Sequence, residues 1–275
     1  MADIYQWCIA GVPGVRWAKK LFPDDTEKIA VRKLWEAILD TSRVTGTPTA
    51  AWREHNKELA LRSEHLNDLH LVKLHYKSKN GTDLTVGLNP DVLFAAGGEK
   101  TTAGRYFNPN IPTEEVFTSP KRGEADGVVY STKPLCYNGS LIENFRITFK
   151  DGHAVDCHAE KNEELLKELI GMDEGASYLG EVALVPYSSP IQKTGLLFYN
   201  SLYDENAVCH LALGLGFTNL HKDYAKIGED GAHKAGINDS IIHEDFMIGS
   251  PDLSIVGTTA DGKEVTIFKD GEFAF

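Results

Sequence analysis

The spacing of apolar residues in this 275-residue chain changes from helical to period two at Leu69, and that change limits the folds open to it. Before Leu69 the spacing is helical. Ala30, Leu34, Ala37 and Ile38 share one helix face, and Asp24 or Asp25 stands where an N-cap belongs. A second helix is predicted from Thr47 to about Asn67. Thr47 suits the N-cap, Pro48 suits the first helical position, and Trp52, Leu59 and Leu66 recur at seven-residue spacing. From Leu69 the period becomes two. Asn80-Gly81 turns one hairpin, and Asp151-Gly152, Asp261-Gly262 and Asp270-Gly271 turn later ones. Strands are expected at Val128–Tyr130, Phe145–Phe149, Ala154–Cys157 and Val265–Phe268, with one more helix over Asn162–Ile170. Helices first and hairpin-connected strands afterwards predict an α+β fold: a mixed, mostly hairpin-connected β-sheet with N-terminal helices packed on it. Upstream, Ile4–Ala10 reads as a lone strand followed by a Gly-Val-Pro-Gly turn.

Within the strand-rich part, Gly180–Gly214 sets acids and a histidine among apolar residues. A carboxylate in an apolar run needs a partner, because an unpaired buried charge is costly. A metal ion is one such partner. By type and setting six residues stand out: Glu115, bounded by Pro112 and Pro120; Glu181, Glu205 and His210; and the His243-x-Asp245 pair. On a strand, His243 and Asp245 point to one face and Glu244 to the other. Each signal alone is weak. A histidine is as readily a satisfied core residue, and a lone glutamate a cap or ion-pair partner. Metal-capable types also occur at His153, Asp156, Cys157 and His158, but these alternate across a strand that reads as half-exposed. His55, His65, His70 and His75 share no face, and His221 and His233 fall in a charged, solvated loop. Gly98-Glu99-Lys100-Thr101 lacks the spacing of a phosphate loop, and no zincin, serine-hydrolase or dinucleotide fingerprint is present.

A formal net charge of −12 argues against nucleic acid and anionic membrane as partners. Cys8, Cys136, Cys157 and Cys209 have no paired spacing, which favours a reducing compartment. No leader or membrane span is read, and a cytoplasmic location is expected.

The runs Asn110–Pro120, Ser131–Leu135, Tyr178–Pro186, Gly195–Asn200 and His243–Gly249, with Trp52–Asn56 and Gly97–Thr102, resemble the aminopeptidase T / aminopeptidase S (PepS) family of bacterial metalloaminopeptidases, in the same order from Trp7 to Phe275. The resemblance implies hydrolysis of N-terminal peptide bonds in peptides with a free N-terminus, through water activated by two divalent metals. Zinc or cobalt is expected, and manganese also suits an oxygen and imidazole donor set. Carried over by motif, the ligands are Glu115, Glu181 (bridging), Glu205, His210, His243 and Asp245, with Glu115 or Glu205 as the catalytic base. The resemblance also implies a homodimer. It further implies an additional N-terminal domain in family members, which makes residues 1–22 a remnant strand and linker and residues 23–275 the catalytic domain. One position departs from the family: Phe217 stands where a tyrosine follows the metal-site histidine by seven residues. Its missing hydroxyl, together with the expected lack of the family's N-terminal domain, leaves a second reading open, a weakened or inactive metal- or peptide-binding relative.

Overall fold

A computed structural model describes residues 4–275. The described residues include seven α-helices, two large sheets and two small two-stranded ones. The larger sheet has nine strands and is antiparallel throughout. Its centre is the Leu71–Lys77 and Asp83–Leu88 hairpin, flanked by Pro120–Tyr130 on one side and Ser254–Thr259 on the other. The smaller sheet has five strands in the order His243–Met247, His210–Gly214, Leu179–Leu184, Val116–Thr118, Ala95–Ala96.

One apolar cluster joins the two sheets. Val116, Val182, Leu184, Leu211, Leu213 and Phe246 of the smaller sheet meet Leu74, Leu84, Val86, Val129, Ile147 and Ile255 of the larger. Fully burying side chains of this size stabilises by roughly 1.5–3 kcal/mol each. One face of the smaller sheet is thereby fixed. Leu59 and Leu66 of helix Pro48–Asp68 complete the cluster. A second cluster packs Ala18, Ala30, Leu34 and Ile38 of the N-terminal helices against Ile191, Phe198 and Tyr203.

The hairpins, the Pro48–Asp68 helix and the Glu163–Ile170 helix lie where the spacing predicts them. Three local expectations are corrected. The N-cap of helix Glu27–Thr41 is Thr26, not Asp24 or Asp25: the Thr26 carbonyl accepts the first helical bond, from Ala30 N–H at 2.8 Å, while the Asp25 carboxylate pairs with Lys33 Nζ at 2.7 Å. The first segment is not a long unpaired strand: only Ile9–Ala10 is extended, and it pairs in parallel with Asn110–Ile111. Part of that expectation falls on residues 1–3, outside the described residues. His221 and His233 are not solvated. His221 is buried and its Nδ1 accepts from Asp223 N–H at 3.1 Å, while His233 lies 3.1 Å from the Ile237 carbonyl at the end of helix Tyr224–Lys234. The Val15–Leu21 helix is an addition that the sequence reading lacks. No helix among the described residues is long and apolar enough to cross a membrane.

Candidate metal centre

Strand register explains why the candidate residues meet. Directly paired residues in a sheet point to the same side, and so do residues two apart. Glu181 is paired with Ala212, and Ala212 with Asp245. His210 lies two residues before Ala212, and His243 two before Asp245. Phe117 pairs with Ala183, which pairs with His210, and Glu115 lies two residues before Phe117. All five candidates therefore share the sheet face opposite the apolar cluster. Ala212, at the centre of the row, is too small to fill the space between Glu181 and Asp245. Glu244 points the other way, and burial first, then Asp245, pushes its carboxyl up to about 7.

Glycine permits the approach of these strands. The pairing shifts between Leu179 and Glu181, where an irregularity re-aims the chain beside the site. A Cβ on Gly180 would lie 2.3 Å from the Leu215 carbonyl oxygen and 2.4 Å from that of Gly214. Gly214 itself has φ +97°, a backbone conformation open to glycine.

Two sets of potential donors result. Atoms of Glu115, Glu181 and His210 lie within 4.8 Å of one another, as do atoms of Glu181, His243 and Asp245. Glu181 belongs to both. His210 Nε2 is 3.3 Å from Glu115, and His243 Nε2 is 3.1 Å from Glu181 and 3.4 Å from Asp245. The opposite ring nitrogens face carbonyls: His243 Nδ1 that of Leu215 at 2.7 Å, and His210 Nδ1 that of Val208 at 3.3 Å. A carbonyl only accepts, so each Nδ1 carries a proton and Nε2 is the nitrogen turned to the carboxylates. Glu205 lies in the same cleft but outside both sets. Its carboxylate accepts from Ser201 Oγ at 3.1 Å and from Asn206 Nδ2 at 3.2 Å.

The electrostatics call for cations. Burial first, and neighbouring carboxylates after it, raise Glu181 to about 7 and Glu205 well above the usual carboxylate range. Burial works against a charged His210, yet the Glu115 carboxylate beside it lifts the ring to about 10. Four carboxylates thus face two imidazoles. Asp245 Oδ1 is buried, and the ion-pair contact with His243 Nε2 at 3.4 Å gives it no well-formed hydrogen bond. A divalent ion satisfies such an atom, and all-oxygen-and-imidazole donors suit zinc, cobalt or manganese. The residues present fit the group.

The site opens into a cleft of about 850 Å³ whose walls include Trp7, Ala95–Lys100, Phe117, Leu215–Leu220 and Glu229. Phe217 packs edge-on against Phe117, centroids 5.2 Å apart, and lies 5.0 Å from the His243 ring. Trp7, Lys100 and Glu229 were not singled out as cleft residues by sequence reasoning. Lys100 lies in the Gly97–Thr102 run, but neither that run nor any motif at Trp7 or Glu229 marks a cleft wall, and the fold brings all three to the rim. A smaller cleft of about 300 Å³, near His70 and Lys222, is lined by none of these carboxylates.

Known proteins share this arrangement of strands. A family profile described as thermophilic metalloprotease (M29) matches residues 1–273. Aminopeptidase AmpS of Bacillus subtilis (strain 168) is 47% identical over 275 residues, which is all of this chain and 67% of that protein. Aminopeptidase T of Thermus aquaticus is 42% identical over 271 residues, 98% of this chain and 66% of that protein. The solved structure of wild-type AmpT from Thermus thermophilus superposes with a TM-score of 0.90 at 42% identity, covering 98% of this chain and 65% of that one. The chain spans about two thirds of the length of these relatives. It belongs to the M29 family of metallopeptidases.

Proposed function

We propose that this chain, a metal-dependent aminopeptidase by family, removes the first residue of peptides by hydrolysis at a pair of divalent ions. The observation that carries this reading is the position of Glu181, one carboxylate common to two donor sets on the floor of a single cleft. Glu115 and His210 would hold one ion, His243 and Asp245 the other, and Glu181 both. Ions bound there acidify water and polarise the scissile carbonyl. Zinc and cobalt are the proposed metals.

The chain's own residues divide the remaining work. Glu205 takes the proton of the attacking water and hands it to the leaving amine, because its carboxylate lies in the cleft outside both donor sets. Glu115, paired with His210, is the less suited of the two bases named above. Trp7, Phe117 and Phe217 give the cleft apolar walls against which a substrate side chain can lie. Phe217 supplies no hydroxyl to the developing oxyanion, so turnover rests on the remaining groups. Relatives at 42–47% identity are named aminopeptidases, which favours an active enzyme over an inactive relative. We further propose a homodimer, from the family resemblance, and a cytoplasmic location, from cysteines without paired spacing.

The test is hydrolysis of a chromogenic leucine substrate with bound metal quantified in the same sample. Turnover with close to two ions per chain, lost with chelator and regained with cobalt or zinc, is expected. A folded sample that binds no metal after reconstitution overturns the site.

A further inference from the structure

The segment Thr113–Glu115 is buried yet has no regular secondary structure. Buried backbone of that kind must take its hydrogen bonds from side chains. Two residues remote in sequence, His55 and Asn206, supply them, and a third, Arg43, holds the Glu114 side chain. His55 Nε2 lies 2.6 Å from the Thr113 carbonyl. Arg43 grips the Glu114 carboxylate with both guanidinium ends, Nη2 at 2.8 Å from Oε2. Asn206, fully buried, accepts the Glu114 backbone N–H on Oδ1 at 2.7 Å. The other end of the same carboxamide donates from Nδ2 to the Leu202 carbonyl at 3.0 Å and to Glu205 Oε1 at 3.2 Å.

Asn206 therefore touches both sides of the cleft floor. Its oxygen holds the Thr113–Glu114 peptide unit, one unit before the one that enters Glu115, and its nitrogen holds the carboxylate of Glu205. Only a side chain with an acceptor at one end and a donor at the other does both. Aspartate has nearly the same shape but would set an oxygen against Glu205. Arg43 and His55 hold the outer side of the same segment. The Arg43 fork is delivered there because Arg43 takes a left-handed φ of 53° directly after helix Glu27–Thr41, turning the chain out of the helix.

We propose that Asn206 is a positioning residue, setting the separation of Glu115 and Glu205 across the metal centre, with Arg43 as its counterpart on the far side of the segment. This rests on the metal reading above. A plain packing role for the same residues would affect stability alone. A positioning role changes how ions are held in protein that is still folded.

The experiment titrates the metal-free protein with cobalt(II), reading the visible absorption spectrum and the dissociation constants by chelator competition. Unfolding midpoints of the metal-free forms are measured beside them. Wild type is compared with Asn206→Asp and with Arg43→Lys, which keeps the charge and loses the two-pronged grip. Partners behind metal ligands typically carry about 10–100-fold in metal affinity. Asn206→Asp is expected to weaken at least one cobalt by about that factor and to shift the visible band. Arg43→Lys should shift the band the same way by less. Wild-type binding and spectrum in both variants, whatever the unfolding midpoints do, overturn the proposal while leaving the metal site intact. Should Asn206→Asp not fold, Arg43→Lys alone decides: an altered band supports the proposal and an unaltered one overturns it. A wild-type protein that binds no cobalt defeats the metal reading itself, and this proposal with it.

Discussion

Strands His153–Lys161 and His243–Met247 each carry a histidine and an aspartate two residues apart, Asp156 with His158 and His243 with Asp245, and their surroundings are opposite. On the first strand both members of the pair find partners of opposite charge at the surface. Asp156 meets Arg146 at 2.8 Å, and His158 meets Glu163 at 2.5 Å. On the second strand the pair faces Glu181, Glu205 and, across the sheet, Glu115 and His210. The charges acting most strongly on Glu181 and Glu205 are other carboxylates and the two imidazoles. Residue type and spacing are therefore the same in both places, and what separates them is burial together with an excess of negative charge. An exposed pair is satisfied as it stands, whereas a buried excess of carboxylates demands cations.

The comparison is tested most severely at its shared carboxylate. Glu181→Gln keeps the shape and removes the charge common to both donor sets. Turnover should fall to background and bound metal below two per chain, measured by elemental analysis of the purified protein. Two ions and unchanged kcat in that variant would remove Glu181 from the site. A somewhat smaller effect is expected from Ala212→Leu. Its side chain would enter the space between Glu181 and Asp245, and overpacking of this kind typically costs about 1–3 kcal/mol. The protein should still fold, with a lowered unfolding midpoint, and should lose metal affinity in cobalt titration. Full metal binding would show that the space above Ala212 is not where ions sit.

The hairpins and the long helix were legible from the sequence because they follow from local rules: Asp-Gly and Asn-Gly turns, period-two strands, and Thr47-Pro48 at a helix start. The gathering of Glu115, Glu181, His210, His243 and Asp245 was not legible from spacing. It depends on register between strands up to 130 positions apart, including the shift beside Gly180, and no local pattern encodes register. Only likeness to a known family brought these residues together in advance. Nothing in the sequence assigns a positioning role to Asn206, Arg43 or His55, although His55 lies in the Trp52–Asn56 run that carries the resemblance. Their meaning comes from the irregular buried backbone of Thr113–Glu115, whose hydrogen-bond partners no local spacing encodes.

Phe217 sharpens the comparison from inside the buried site. Its ring is fixed between Phe117 and His243, so Phe217→Tyr adds a hydroxyl with little change in packing. If an oxyanion donor is missing there, kcat should rise while KM and metal content stay constant. Removing one such donor elsewhere costs about 10²–10³ in rate, which sets the ceiling on the gain. An unchanged kcat would mean that the metal centre supplies the needed stabilisation without help from this position.

The smallest effect is expected on the exposed strand. The double variant Asp156→Asn, His158→Asn removes the very types that look like ligands. Exposed ion pairs contribute about 0–1 kcal/mol and are screened by salt. Glu163, held down to about 2 chiefly by Lys167, keeps that partner when His158 is gone. Metal content, kcat and the unfolding midpoint should all match wild type. A drop of one ion per chain would place a cation on the exposed strand and break the contrast with His243 and Asp245, because solvent-exposed pairs would then hold metal as the buried ones do. If metal content is unchanged, burial and the local excess of carboxylates remain the features that distinguish a metal centre from two solvated ion pairs with the same residues at the same spacing.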